Sequence, residues 1–240
     1  MILHPTYLFW ISKLKQIKEK LGKPQNVLDF GCGNGVIVDL LGINYFSRYI
    51  GMDTSKNSVR VGTLNYVKTK KIIFKEIYPG QMPSFGKKDT WDIVILVGVF
   101  QYLTDLEIDH VINESRRTLR KGGKLIFSTV LDTPIYRYLN AYQLVFPNRY
   151  INRSNLSHKL SKSNFKIETD IARGLIVGPL VSHALVIPFD AVDHFVLGVK
   201  GQIGYLGKAI RIIMFPLMYL ELLIPLDYGY TWYVIADKMD

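Results

Sequence analysis

The sequence has a single cysteine, Cys32, among its 240 residues, so a disulfide within the chain is excluded. Such scarcity of cysteine fits a reducing compartment. A secretory leader is not recognisable either, because the first apolar run is broken by Ser12 and Lys13 and no small-residue cleavage site follows. We therefore expect a protein on the cytoplasmic side of the membrane.

Acidic residues are outnumbered, since 20 aspartates and glutamates against 30 lysines and arginines give a net charge of +10. This balance favours an anionic partner, such as nucleic acid, an acidic substrate or an anionic membrane surface. A lysine-rich solvated surface gives the same charge. With 48% hydrophobic and 21% charged residues, the composition predicts a globular fold. We expect one domain over residues 1–240.

Short apolar runs alternate along the chain with segments of helical pattern. The runs predict strands at 26–30, 49–53, 72–76, 92–97, 124–130, 165–172 and from residue 231. Helices are expected at 35–41, at 55–69 with Ser55 as its cap, at 104–120 with a capping box of Thr104 and Glu107, and after Ser154. This alternation predicts an α/β fold with a doubly wound, mostly parallel sheet.

The stretch VLDFGCGNG, residues 27–35, joins the first predicted strand to the next helix and holds three glycines in five positions. In open parallel sheets, ligands bind outside the carboxyl ends of the strands. Glycine at such a place permits positive φ and lets a ligand approach the main chain. A tight strand–helix turn without a ligand is the alternative.

The spacing of these glycines is not that of a dinucleotide site. The third glycine of G-x-G-x-x-G would fall on Val36, so NAD is not the expected cofactor. No phosphate-binding G-x-x-x-x-G-K-[ST] loop is present. Asp53 ends the second predicted strand, where a carboxylate can accept hydrogen bonds from a ribose diol. Together, the loop and Asp53 indicate an adenosine-bearing ligand.

Four stretches resemble, in order, the motifs of class I S-adenosylmethionine-dependent methyltransferases: VLDFGCGNG, YIGMDTS, WDIVILVGVFQYL and LRKGGKLIFSTV. TWYVIADK, residues 231–238, resembles the last strand of that family. The resemblance is to the broad branch of quinone-biosynthesis and small-molecule methyltransferases. It implies a seven-stranded, Rossmann-like methyltransferase fold, S-adenosylmethionine as cofactor and S-adenosylhomocysteine as product.

The same resemblance implies which residues meet the cofactor. The methionine end would be lined by the glycine loop: Asp29, Gly31, Cys32, Gly33, Asn34 and Gly35. Asp53 would hold the ribose, with Met52 and Thr54 beside the adenine, and the exit of the fourth strand would pass under the cofactor: Val97, Gly98 and Val99. The adenine-binding aspartate of the family is replaced by Tyr78, with Glu76 nearby.

No catalytic residue is assigned, and no metal is predicted. A general base is needed only if the acceptor must lose a proton. Five residues are candidates without a recognisable catalytic spacing: His158, His183, His194, Asp190 and Asp193. A histidine found in some relatives after the fourth strand is missing, because that stretch reads Phe100-Gln101-Tyr102.

Two regions outside the core motifs are candidates for acceptor binding. Residues 132–153 are predicted to form a lid rich in tyrosine, which either holds a flat or apolar acceptor or only packs. Residues 173–230 form an apolar insert before the last strand. Its apolar stretches are too short or too interrupted by charge and proline to span a bilayer, which takes about 20 apolar residues. A folded cap, a homodimer contact and an interfacial segment remain open.

The first 24 residues predict a helix with Trp10, Leu14, Ile17 and Leu21 on one face and lysines between them. It either covers the sheet or lies on a membrane surface. Three functions follow: a methyltransferase at the membrane with a lipid-linked acceptor, a methyltransferase in solution for a small metabolite or sugar, and a regulatory protein that binds the cofactor without catalysis. Nucleic acid is not expected, because Asn/Asp-Pro-Pro-aromatic is absent after the fourth strand.

Overall fold

Seven strands form one sheet in the order β3-β2-β1-β4-β5-β7-β6. The structure is a computed structural model that describes residues 5–23, 25–78, 80, 83–133, 149–174, 205–223 and 229–239. The strands are β1 (Gln25–Phe30), β2 (Phe46–Asp53), β3 (Ile72–Glu76), β4 (Trp91–Val97), β5 (Leu119–Val130), β6 (Phe165–Arg173) and β7 (Thr231–Lys238). In this sheet β7 runs antiparallel to both of its neighbours. The predicted fold class is confirmed.

Helices cover both faces of the sheet. They are α1 (Pro5–Leu21), α2 (Val36–Leu41), α3 (Lys56–Asn65), α4 (Asp105–Thr118), α5 (Arg153–Lys162) and α6 (Tyr205–Leu223). The strand order reverses between β1 and β4, because the chain continues from β1 to one side of the sheet and from β4 to the other. In such sheets, ligands bind at this switch point, outside the carboxyl ends of the strands.

Each central strand contributes to two hydrophobic cores. In β4, Val94 and Leu96 pack on the side of α4 and α5, and Ile93 and Ile95 pack on the opposite side with α1 and α2. Alternate side chains of a strand point to opposite faces, and a parallel sheet is covered on both. The continuous apolar run of β4 therefore follows from burial on two sides.

The N-terminal helix is a covering helix. Trp10, Leu14 and Ile17 are buried in the core beside β1 and β4, and Leu21 is 45% exposed. The rings of Phe9 and Tyr233 lie 4.6 Å apart. Because the protein's own core covers the apolar face of α1, this face is not available to lipid.

Several predicted boundaries differ from those observed. The strand β2 begins at Phe46, before the predicted residue 49, and α3 ends at Asn65 rather than at residue 69. The prediction that α4 reaches residue 120 is wrong, because α4 ends at Thr118 and β5 begins directly. Residues 120–123 then bulge from the ladder, since Leu119 pairs with Trp91 and Lys124 with Ile93.

The cap of α5 is Asn152, not the predicted Ser154. The side-chain oxygen of Asn152 accepts a hydrogen bond from the Asn155 N–H at 3.0 Å. Ser154 lies within the first turn. Asparagine and serine are both good caps, so the sequence alone does not show which of the two caps α5.

Replacing the observed cap should destabilise the protein more than replacing the predicted one. We expect Asn152→Ala to lower the free energy of unfolding by about 1 kcal/mol, because an N-terminal N–H of the helix loses its acceptor. Ser154→Ala, the control, should change it by less than about 0.5 kcal/mol. Urea denaturation measures both, and equal losses would contradict the assigned cap.

Candidate functional site

A cavity of about 420 Å³ opens at the carboxyl ends of β1, β2 and β4. Its volume lies in the range of about 300–1,000 Å³ that small-molecule sites occupy. The lining residues come from the turns after these strands and after β3: Phe30, Gly31, Asp53, Thr54, Ile77, Tyr78, Gly80, Gly98, Val99, Tyr102, Leu103 and Glu107. The cavity therefore lies at the switch point of the sheet.

The three glycines of the loop have different roles. A Cβ on Gly31, which has φ +81°, would lie 2.4 Å from Val99 Cγ2, and one on Gly35, with φ +90°, would lie 2.6 Å from Phe74 Cζ. Packing within the protein therefore requires both glycines. Gly33 has φ +55°, and a Cβ there would meet nothing within 4 Å. Of the three, Gly33 alone has open space where a side chain would stand.

The loop is fastened to the end of β2 by three consecutive main-chain donors. The N–H groups of Gly31 and Cys32 donate to Met52 O at 2.7 and 3.2 Å. The N–H of Gly33 donates to Asp53 Oδ2 at 2.7 Å. The other carboxylate oxygen, Asp53 Oδ1, accepts from the Ser55 N–H at 2.8 Å. These hydrogen bonds hold the loop against the carboxyl end of β2, where Asp53 lines the cavity.

Asp29 lies behind the loop, on the side of α1. It is 2% exposed, and the Tyr49 hydroxyl donates to its Oδ2 at 2.7 Å. Burial raises the pKa of Asp29 from 3.8 to about 7, against the lowering effect of the Tyr49 hydrogen bond. Burial and the Asp29 charge together raise the pKa of Tyr7 to about 12. Asp29 is thus part of a buried polar cluster that supports the loop.

Cys32 packs beneath the same loop. A Cβ added to Gly51 would lie 2.7 Å from Cys32 Sγ, so the thiol packs against the main chain of β2 at this glycine. Burial, with the neighbouring Asp29 and Asp53 charges, raises the pKa of the Cys32 thiol well above its usual range. Since the thiolate is the reactive form, this cysteine has the environment of an inert structural thiol.

The far wall of the cavity is formed by residues 102–107, between β4 and α4. Tyr102 ends a short 3-10 helix (Phe100–Tyr102), Leu103 follows it, and the capping box of Thr104 and Glu107 starts α4. Glu107 Oε2 accepts from the Thr104 N–H at 2.7 Å. The motif WDIVILVGVFQYL ends at this wall and the capping box starts α4 there, but the wall residues were not among the predicted site residues.

Arg149, in the last part of the predicted lid, is hydrogen-bonded to this wall. Its N–H donates to Gln101 O at 2.7 Å, and its guanidinium donates to Leu103 O at 3.0 Å and to Asp105 Oδ2 at 3.0 Å. Residues 134–148 of the lid lie outside the described residues. The described end of the predicted lid is therefore attached beside the cavity.

The predicted cofactor-binding residues are divided by the structure into two sets. Six line the cavity: Gly31, Asp53, Thr54, Tyr78, Gly98 and Val99. Eight do not line it: Asp29, Cys32, Gly33, Asn34, Gly35, Met52, Glu76 and Val97. Contact of each with the cofactor remains a prediction.

The candidate bases are not brought together at the cavity. His158 is exposed on α5 and borders a separate polar groove between α4 and α5. The other four lie outside the described residues: His183, Asp190, Asp193 and His194. Within the described part of the chain, no group of three His, Cys, Asp or Glu side chains can hold a metal ion.

A glycine loop after β1, an acidic residue ending β2 and an antiparallel last strand give this chain the fold of class I S-adenosylmethionine-dependent methyltransferases. Residues 3–170 match the family model of a methyltransferase domain, and the chain belongs to that family. The resemblance seen in the sequence is confirmed at this level.

The chain is also similar to a curated protein in sequence and to solved structures in fold. An uncharacterized protein of Rickettsia prowazekii is 24% identical over 177 residues, which cover 70% of this chain and 68% of that one. Geranyl diphosphate C-methyltransferase from Streptomyces coelicolor, in complex with Mg²⁺, geranyl diphosphate and S-adenosylhomocysteine, aligns with a TM-score of 0.61 and 13% identity, over 95% of this chain and 78% of that one.

Two further solved structures share the fold. An S-adenosylmethionine-dependent methyltransferase from Mesorhizobium loti has a TM-score of 0.58 and 16% identity, over 90% of this chain and 91% of that one. The [4+2]-cyclase SpnF has a TM-score of 0.62 and 15% identity, over 95% and 81%. The fold thus also occurs in a protein named for a different reaction.

The raised pKa of Asp29 predicts a pH dependence of stability. The folded state holds this proton more tightly than the unfolded state, so the stabilisation is present at low pH and is lost as pH rises from about 4 to 7. Asp29→Asn keeps an acceptor for Tyr49 without titrating. Relative to wild type, we expect its free energy of unfolding to rise by on the order of 2 kcal/mol between pH 5 and pH 8.

Chemical denaturation at several pH values measures this difference. Glu19→Gln, on the exposed side of α1, is the control and should follow wild type at every pH. A difference between wild type and Asp29→Asn that is constant with pH would contradict the predicted titration.

Proposed function

We propose that the protein transfers the methyl group of S-adenosylmethionine to a small or lipid-linked acceptor at a membrane surface. The cofactor supplies an activated methyl group, so positioning and exclusion of water can provide much of the catalysis. In this proposal the cofactor lies in the cavity at the switch point, with Asp53 on the ribose and Gly33 at the methionine end. The observation that carries the proposal is the cavity at the strand ends, which Gly31 and Asp53 line and beside which Gly33, hydrogen-bonded to the Asp53 carboxylate, has open space.

The acceptor would approach from the wall formed by Tyr102 and Leu103. Tyr102 is exposed, and Tyr78 is exposed on the other side of the cavity. Two accessible aromatic rings and an aliphatic side chain suit an acceptor with a flat or apolar part. The Streptomyces relative, which was solved with geranyl diphosphate, supports an acceptor that is small and partly apolar.

The membrane part of the proposal rests on α6. Apolar residues that are exposed on this helix recur at helical spacing: Ala209, Ile212, Ile213, Pro216, Leu217 and Leu220. Ile213 is 72% exposed and Leu217 is 50% exposed. On the inward side, Met218 is buried and the helix packs against α1. Helices that are apolar on both sides are normally covered on both.

The insert that contains α6 leaves the sheet at the cofactor edge. Because β6 runs parallel to β1 and β4, its last residue, Arg173, lies at the edge where the cavity opens, and β7 starts there at Thr231. No helix among the described residues is long and apolar enough to cross a membrane. An interfacial position of α6, aided by the net charge of +10, would bring a lipid-linked group to the cavity.

A second candidate is a methyltransferase that meets its small metabolite or sugar in solution. The packing of α6 against α1 favours it, since that contact is what a folded cap makes. In this case a second copy of the chain covers the outward side of α6, as a homodimer. The occurrence of the fold in a [4+2]-cyclase keeps a third class in view, a protein that binds the cofactor and transfers no methyl group.

Cofactor binding should be lost on filling the space at Gly33. Gly33→Leu places a side chain into that space, and Gly42→Leu is a control outside the cavity. Both glycines have positive φ, +55° and +76°, and open surroundings, but Gly42 ends α2 and does not line the cavity. We expect Gly33→Leu to lose about 1 kcal/mol of stability, and Gly42→Leu to lose more, because its ψ of 154° lies in a region nearly confined to glycine. Only Gly33→Leu should lose affinity for S-adenosylhomocysteine by calorimetry, at least about tenfold.

Equal affinity of the two leucine variants would remove Gly33 from the cofactor site. Competition with NAD provides a second readout. Displacement of S-adenosylhomocysteine by NAD at similar concentration would contradict the assignment of the cofactor.

Membrane binding should depend on the outward side of α6. In flotation with anionic vesicles, we expect wild type to bind at low salt and less at high salt, because salt screens the electrostatic part. Ile213→Glu and Leu217→Glu should abolish binding at both. Leu64→Glu, at a similarly exposed leucine on α3, should bind as wild type does.

If wild type stays unbound as a dimer and the glutamate variants are monomers, the interface is between copies and the membrane proposal fails. Incubation with methyl-labelled cofactor and a membrane lipid extract tests the transfer itself. Label in the organic phase supports a lipid-linked acceptor, and label only in added polar metabolites supports the second candidate.

A further inference from the structure

Asp53 is bonded to the glycine loop, and this contact gives it a second role. We propose that Asp53 sets the conformation of the loop while it binds the ribose, so that it connects the ribose and methionine halves of the cofactor site. The inference rests on the proposed function and its cofactor position, and it assigns to Asp53 a positioning role that reaches residue 33.

The hydrogen bonds that carry this inference join residues distant in sequence. Asp53 Oδ2 accepts from the N–H of Gly33, 20 residues earlier, at 2.7 Å. The preceding two N–H groups, of Gly31 and Cys32, are held by Met52 O. Three successive residues of the loop are therefore bound to two successive residues of β2, and the third bond is made by a side chain.

The other hydrogen bond at Gly33, within the described residues, is a weak one, which its carbonyl accepts from Cys32 Sγ at 3.3 Å. The φ of Gly33, +55°, is in the left-handed region, and its Cα faces open space rather than a packed side chain. Gly31 and Gly35, by contrast, are enclosed by Val99 and Phe74. The hydrogen bond to Asp53 is thus the main contact that fixes the middle of the loop, and its loss frees residue 33 while its neighbours stay packed.

The carboxylate of Asp53 has the capacity to serve both partners together. An ionised carboxylate offers about four lone-pair positions. The N–H groups of Gly33 and Ser55 fill one on each oxygen. One position on each oxygen remains, which matches the two hydroxyls of a ribose diol. Ribose can therefore bind without breaking the contact with the loop.

An asparagine at position 53 cannot do the same. Its amide nitrogen donates and does not accept, so it would face either the Gly33 N–H or the Ser55 N–H with a second donor. Leaving such a donor without its acceptor is costly. Asp53→Asn therefore tests the contact with the loop as well as the contact with the ribose.

Two ligands separate these contacts. S-Adenosylhomocysteine and 5′-methylthioadenosine share the adenosine group, and only the first carries the amino-acid end. If Asp53 acts on the ribose alone, Asp53→Asn lowers both affinities by the same factor. Since the loop binds the amino-acid end in our proposal, we expect the loss for S-adenosylhomocysteine to be greater by about tenfold, measured by calorimetry.

Glu76→Gln is the matched control. Glu76 is the register partner of Asp53 on β3, at the same edge of the sheet, and it makes no hydrogen bond to the loop among the described residues. Any effect of this variant should be equal for the two ligands, because both carry the same adenosine group.

A readout without ligand tests the loop directly. Hydrogen exchange of the Gly33 amide, followed by NMR, should be slow in wild type and in Glu76→Gln, and at least about tenfold faster in Asp53→Asn. The amide of Ile95, in the centre of the sheet, reports whether the variant is still folded.

The outcomes are distinct. Equal loss for the two ligands overturns the inference whatever the exchange rates are. A greater loss for S-adenosylhomocysteine with unchanged exchange at Gly33 also overturns it, because the effect then does not pass through the loop. If wild type binds neither ligand, the proposed cofactor site itself fails. This result is distinct from the other two, because in both of those wild type binds the ligands.

Discussion

The fastening of the glycine loop to the end of β2 is the constraint on which the site depends. β1 and β2 end at nearly the same level of the sheet, since Phe30 pairs with Met52. Residues 31–35 then connect β1 to α2. Three main-chain donors then reach Met52 and Asp53, and Val99, after β4, encloses the loop from the other side. The loop is held between two strand ends, and the cavity is the space that remains between them.

Much of the fold could be predicted because its strands are buried on both faces. A continuous apolar run such as that of β4 is typical of a strand covered on two sides, and the turns between the runs were marked by glycine and by capping residues. The glycine loop and Asp53 were found for the same reason, as they stand at strand ends. The side-chain direction of Asp29 was not predictable, because it depends on Tyr49 in the paired strand.

The wrong cap, the alternatives left open for α1 and the wall that was not predicted have equally local causes. Asn152 and Ser154 are both suitable caps, and only the path of the chain decides between them. The amphipathic pattern of α1 is the same for a helix on a core and a helix on a membrane, and only its neighbours, such as Tyr233, reveal which one applies. Tyr102, in the wall of the cavity, belongs to a 3-10 helix of three residues, which is too short to leave a periodic pattern in the sequence.

Where the chain leaves and re-enters the sheet around the insert, its two ends are bonded together. The N–H of Tyr230 donates to Gly174 O at 3.0 Å, and Tyr230 O accepts from the Leu131 N–H at 2.7 Å. Closing a loop costs only about 0.6 kcal/mol more when its length doubles. The stability of the sheet therefore depends little on the length of the segment between these ends. Evolution can lengthen, shorten or exchange that segment while the cofactor half is inherited unchanged, so relatives with the same loop after β1 can diverge in what they modify.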